Sequence, residues 1–111
     1  MKIHVLHELK GRIRFSTDLG KLTAEQADQL QYYLLSLPGV VQAKVYDRSG
    51  DAVVQYQAER RVLVERITQF SLDAPTVQAL VPEHTSRQLN QYYREKILSR
   101  VLQHAAVRLF L

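Results

Sequence analysis

The sequence predicts an α+β domain whose elements follow in the order β-α-β-β-α-β, with one long helix appended at the C-terminal end. Three observations carry this expectation. Apolar and polar residues alternate in the first fifteen positions and again between residues 41 and 56, the period of strands with one buried face. Two further stretches, one between these segments and one after them, repeat apolar residues at three- and four-residue steps, as a helix with one buried stripe does. Beyond Pro82, residues 86–111 contain neither Gly nor Pro, and Leu89, Tyr93, Ile97, Val101, Ala105 and Leu109 recur every four residues.

The first strand is expected over Ile3 to Phe15, with Ile3, Val5, His7, Leu9, Gly11, Ile13 and Phe15 inward and Arg12 and Arg14 outward. A strand of that length is unusual, so Lys10-Gly11 is expected to bend or bulge and divide it. Thr23 precedes a helical pattern of Ala27, Leu30, Leu34 and Leu37, which Pro38-Gly39 should end. Val41, Ala43 and Val45, the turn cluster Asp47-Arg48-Ser49-Gly50, and Ala52, Val54 and Tyr56 predict a hairpin. Val62, Leu63, Ile67 and Phe70 predict a second helix, and Thr76 to Val81, β-prone and stopped by Pro82, a last strand. This order is the split βαβ arrangement of ferredoxin-like domains. The expected organisation is a domain over residues 1–82 and an amphipathic basic helix over residues 83–111, opened by a capping box at Thr85-Ser86-Arg87-Gln88.

Composition narrows the function classes. The chain has 111 residues, 46% of them apolar, enough for one core. It has no Cys, which excludes disulfide stapling and thiolate metal sites. No run reaches the roughly 18 apolar residues of a membrane span and no signal-peptide layout opens the chain, so a soluble chain is expected. Residues 1–83 balance ten Lys/Arg against ten Asp/Glu. The formal charge of +4 therefore comes from the tail, where Arg87, Arg94, Lys96, Arg100 and Arg108 face only Glu95.

Gly11-Arg12-Ile13-Arg14, Leu37-Pro38-Gly39-Val40 and Ser49-Gly50-Asp51-Ala52-Val53-Val54-Gln55-Tyr56, in this order and separation, resemble the heavy-metal-associated domains. The likeness covers residues 2 to about 81 and is to the cysteine-less branch at the N-terminus of bacterial cation-transporting P-type ATPases. The tail, from Ser86-Arg87-Gln88-Leu89-Asn90 to Arg108-Leu109-Phe110-Leu111, resembles the segment that leads into the first membrane helices of such pumps. The resemblance implies a cytosolic N-terminal regulatory or docking domain of a heavy-metal or cation-transporting ATPase, at the cytoplasmic face of the cell membrane. The implied partners are the pump's other cytosolic domains. The spans, the Asp-Lys-Thr-Gly phosphorylation sequence and the nucleotide-binding domain of those pumps are not in this chain.

Counting back from Gly39, a relative with a Cys-x-x-Cys site would carry its thiols at about Thr23 and Gln26. Neither residue offers the soft anionic ligand a thiophilic metal needs, and Thr-x-x-Gln is instead a helix cap. His7 and Glu8 beside the Lys10-Gly11 bend offer ligand types for a weak Zn²⁺, Co²⁺ or Ni²⁺ site, joined by His4 only if the strand bends, since residues three apart on a strand face opposite ways. Against it stands a purely structural His7. Arg12 and Arg14 form either a solvated face or a cationic docking strip for an acidic surface or lipid headgroups. Arg94, Lys96, Arg100 and Arg108 beside the apolar stripe suggest docking to a partner or an anionic membrane surface, and the stripe itself a homodimer. No catalytic motif or phosphate loop is present, and an enzymatic role for this chain is not expected. The alternatives are a His/Glu metal-sensing or carrier module and a free-standing protein-interaction or nucleic-acid module. Nucleic acid is the less expected partner, because Phe15 and Tyr56, the aromatics of the central strands, are assigned inward.

Overall fold

The computed structural model describes residues 1–110, with side chains for residues 1–98. Its elements are β1 (Ile3–Leu9), β2 (Arg12–Thr17), α1 (Ala24–Ser36), β3 (Val40–Tyr46), β4 (Asp51–Tyr56), α2 (Arg60–Thr68), α3 (Pro75–Gln78) and α4 (Ser86–Phe110). The four strands make one antiparallel sheet in the order β1-β2-β4-β3. The architecture is α+β and compatible with a ferredoxin-like fold in general.

The element order differs from the expected one at both ends. What the alternation suggested as one strand from Ile3 to Phe15 is a hairpin, with Leu9 opposite Arg12 and only Lys10-Gly11 between them. Gly11 has φ +78°, and its carbonyl accepts a 2.9 Å bond from the Tyr56 N–H, so the chain reverses against β4. A two-residue turn needing positive φ is a glycine position, and alternating apolar residues on either side are what a hairpin shows. At the other end, Thr76 to Val81 is not a strand. Pro75 occupies the first position of α3, where its fixed φ suits a helix, and Val77 N–H and Ala79 N–H bond back to Ala74 and Pro75 carbonyls. The sheet position beside β2 is already filled by β1. Local β-propensity in Thr76 and Val77 is overridden accordingly.

Helix α1 starts where Thr23 predicts. The Thr23 hydroxyl accepts from Gln26 N–H at 3.1 Å and the Gln26 side chain accepts from Thr23 N–H at 3.0 Å, a complete capping box. It ends in the Leu37-Pro38-Gly39 turn. Gly39 has φ +82°, and an added Cβ would meet the Gln57 carbonyl oxygen at 2.6 Å, so only glycine fits this crossing.

One face of the sheet carries the core. Ile13 and Phe15 of β2, Ala43 and Val45 of β3, and Ala52, Val54 and Tyr56 of β4 pack with Ala27, Leu30 and Leu34 of α1 and Leu63 and Ile67 of α2. The Tyr33 hydroxyl donates to the Arg66 carbonyl at 2.5 Å and ties α1 to α2; burial raises its pKa above the ordinary tyrosine value. Val62, expected inward, is exposed.

Two β-bulges move residues between faces. A register shift between Val5 and His7 leaves Leu6 unpaired, so His7 and Leu9, expected inward, point outward. A second, between Val40 and Gln42, puts Val41 at the surface, 63% exposed. Neither shift changes the composition of the strand, only its register.

Two adjacent polar residues of α1 are buried, and each holds a later segment. Gln29 donates to the Asp73 carboxylate at 3.0 Å and accepts from Asp73 N–H at 2.8 Å, holding Asp73 at φ +63°. The Asp28 carboxylate, 1% exposed, accepts from the Thr85 hydroxyl at 2.5 Å and the Arg87 guanidinium at 2.9 Å. Arg87 also donates to the Val45 carbonyl at 2.6 Å, on the outer edge of β3. Thr85 and Gln88 complete a capping box at the start of α4, with bonds of 3.1 and 3.2 Å. Ser86–Phe110 runs to about 37 Å at 1.5 Å per residue. Its first turns are fixed to α1 and β3 by this buried carboxylate.

Candidate functional site

With the helices packed on one face, the other face of the sheet stays open. Antiparallel partners share a face, so the ladder fixes its membership row by row. The middle row is His7, Arg14, Val53 and Lys44; beside it lie Leu9, Arg12, Gln55 and Gln42 on one side, and His4, Ser16, Asp51 and Tyr46 on the other. The cations stand on β2 and β3, one on each side of the central strand β4.

These side chains are in contact. The Arg14 guanidinium lies 5.4 Å from the Tyr46 ring centroid and the Lys44 ammonium 5.0 Å from the same centroid, so one ring carries two cations. Asp51 is the carboxylate in this group, 3.7 Å from Arg14. Val53, only 9% exposed, forms an apolar floor between the Arg14 and Lys44 positions.

The expected metal ligands divide differently. The bulge at Leu6 brings His4 and His7 to the same open face, although a regular strand would set residues three apart on opposite faces. Glu8 pairs across the ladder with buried Ile13 and so lies on the helical side. There its carboxylate takes a two-point contact from Arg60 of α2. That hydrogen bond, and then the carboxylate charge, raises the Arg60 pKa further above its ordinary value. His4, His7 and Glu8 therefore do not converge. Among the described residues no group of three or more His, Asp or Glu is placed to hold a metal ion.

The basic residues of α4 are also divided. Arg94 lines a cleft of about 480 Å³ with Thr23, Glu25, Asp47, Arg87 and Asn90, facing the domain. Lys96 lies 5.9 Å from the Tyr92 ring, one turn along another side of the helix. Of the expected stripe, Leu89, Tyr93 and Ile97 are exposed. The side chains of Arg100, Arg108, Val101, Ala105 and Leu109 lie outside the described residues. Among the described residues no helix is long and apolar enough to cross a membrane.

No family model, curated protein or solved structure matches this chain. The site is thus characterised by its own chemistry: an exposed β-surface with three cations, one exposed aromatic and one carboxylate. Arg12 and Arg14 were legible as outward residues. Lys44, Tyr46 and Asp51 were missed, although their alternation with Ala43, Val45 and Ala52 marks them as outward. What the sequence withholds is that β4 lies between β2 and β3 and so gathers the three strands' outward residues into one patch.

Proposed function

We propose that this chain is a regulatory docking domain, and that it belongs to the cytosolic N-terminal part of a heavy-metal or other cation-transporting P-type ATPase, at the cytoplasmic face of the membrane. The observation that carries the docking reading is the one-sided sheet. Its inner face is closed by α1 and α2, while its outer face presents Arg12, Arg14 and Lys44 to solvent beside Tyr46. A cationic surface of this kind suits an acidic surface on another domain of the same pump. The pump itself rests on the sequence resemblance, including that of the tail to a segment entering the membrane. In this reading α4, fixed to the domain by Asp28, links it to the membrane, and its exposed Tyr92, Tyr93 and Ile97 with Lys96 meet an anionic bilayer surface or a second copy.

Two measurements test this reading. Sequencing the parent reading frame past Leu111 is expected to give apolar spans followed by Asp-Lys-Thr-Gly, and a frame without spans removes the pump. A titration with Zn²⁺, Co²⁺, Ni²⁺ and Cu(I), followed by backbone amide shifts, addresses the second reading, a weak metal module. His4 and His7 on one face favour that reading, whereas the Arg60 contact of Glu8 opposes it. Saturable shifts confined to His4 and His7 at micromolar metal would replace docking with metal sensing.

A further inference from the structure

The outward patch holds more positive charge than it neutralises. Arg14 and Lys44 approach the same Tyr46 ring, which draws two like charges together, and the carboxylate in contact with them is Asp51, at 3.7 Å from Arg14. Arg12 stands two residues from Arg14 on β2, about 7 Å away along the strand. Lys44 stands across β4 from Arg14, about 10 Å away at two strand spacings. Between the last two lies the apolar floor of Val53, and Gln55 and Gln42 continue the Arg12 row with neutral amide groups. Such an arrangement is unfavourable when empty and becomes favourable once anions stand between the cations.

We infer that this face binds an acidic peptide segment in extended conformation, carrying carboxylates at two alternate positions and an apolar side chain at the next alternate position, so that all three face the sheet. The inference rests on the docking reading above and names the chemistry of the docked segment. Carboxylates two residues apart in an extended peptide repeat at about 7 Å, the spacing of Arg12 and Arg14, and each guanidinium can take a carboxylate through two N–H donors. The apolar side chain, two residues beyond the second carboxylate, reaches the next row and lies against the Tyr46 ring. The amides of Gln55 and Gln42 donate to and accept from the peptide's own backbone.

Charge complementarity alone also fits nucleic acid and lipid headgroups, and two observations favour the peptide. Single-stranded nucleic acid on a sheet needs bases stacked on aromatics of the central strands. Here Phe15 and Tyr56 of those strands are buried in the core, and the exposed Tyr46 is on edge strand β3 with its ring already flanked by two cations. A bilayer surface wants large apolar side chains beside its cations. Those are clustered on α4, in Tyr92, Tyr93, Ile97 and Leu98, whereas on the sheet the cations stand among amides, Ser16 and the nearly buried Val53, with exposed Leu9 and Tyr46 apart on the two edge strands.

The test uses the full 111-residue chain, isotope-labelled, with a synthetic peptide carrying Glu, Glu and Phe at successive alternate positions and Ser between them. Its controls are the same peptide with Lys in place of Glu, a single-stranded RNA oligonucleotide, and vesicles containing phosphatidylserine. The expected result is saturable amide shifts at Arg12, Arg14, Lys44, Tyr46, Val53 and Gln55 with the acidic peptide, none with the Lys peptide, and weakening as salt rises from about 0.05 to about 0.5 M. Arg14→Ala with Lys44→Ala is expected to weaken binding roughly tenfold or more, with the core amide shifts unchanged, and Tyr46→Ala by a smaller factor. Arg61→Ala, on α2 at the other face, should leave the affinity as it is. Three results overturn the inference: no saturable shifts with the acidic peptide, shifts that survive the double substitution, or RNA or vesicles binding this face more tightly than the peptide. Apolar spans downstream of Leu111 would then still support the pump. Conversely, a bound peptide without those spans would leave this inference standing and remove the pump.

Discussion

The two faces of one sheet are built from the same four strands, yet they do different work. On the inner face Ile13, Phe15, Val54 and Ala52 are fully buried against α1 and α2 in one apolar core. On the outer face, one residue along each strand, Arg12, Arg14 and Lys44 surround an apolar valine and a half-exposed tyrosine. Stability resides in the first set. Recognition is assigned to the second, where charge is concentrated without enough partners. Substitutions on the two faces should therefore change different observables.

The largest effect is expected on the inner face. Phe15→Ala should lower unfolding stability by about 3–5 kcal/mol in a denaturant titration, the cost of lost burial plus a cavity at a site with 0% exposure. A smaller value would mean that α1 and α2 collapse into the space. Next comes the buried carboxylate. Asp28→Ala leaves Arg87 and the Thr85 hydroxyl without their acceptor and should cost about 2–3 kcal/mol. It should also release the first turns of α4, read as faster amide exchange at Gln88 to Tyr92 with α1 still protected. The Thr23 cap is worth less. Thr23→Ala should cost about 1 kcal/mol and fray the start of α1 without affecting the outer face. Smallest is the outer face itself, where Arg12→Ala should stay within about 0.5 kcal/mol of the parent in stability. A large loss there would erase the distinction between the two faces.

Much of this arrangement was legible residue by residue, and most of what was missed lies in how strands meet. Thr23 and Gln26 identified the cap of α1 because a capping box is local, closed within four residues. The Asp47-Arg48-Ser49-Gly50 turn identified the β3–β4 hairpin for the same reason. Lys10-Gly11 has the features of a turn, but alternation continuing unbroken on both sides reads equally as one long strand with a bend. Thr76 to Val81 reads as a strand from its β-prone residues and the Pro82 stop, but Pro75 opens a short helix there instead. The bulges at Leu6 and Val41 leave no trace in composition. They explain why His7, Leu9 and Val41 stand outward against the expected alternation. Glu8 was placed beside His7 by adjacency, but adjacency in a strand means opposite faces, and Arg60 was waiting on the other one. Of the patch, sequence supplied Arg12 and Arg14. Lys44, Tyr46 and Asp51 join them only through the order β2-β4-β3.

The most direct test of the division between the faces is a paired titration of the parent chain and the Arg14→Ala, Lys44→Ala variant with the acidic peptide, read by amide shifts together with unfolding stability. The expected result is a roughly tenfold or greater loss of affinity with stability within about 0.5 kcal/mol of the parent. Affinity unchanged by the substitutions, or lost only in step with stability, would contradict it.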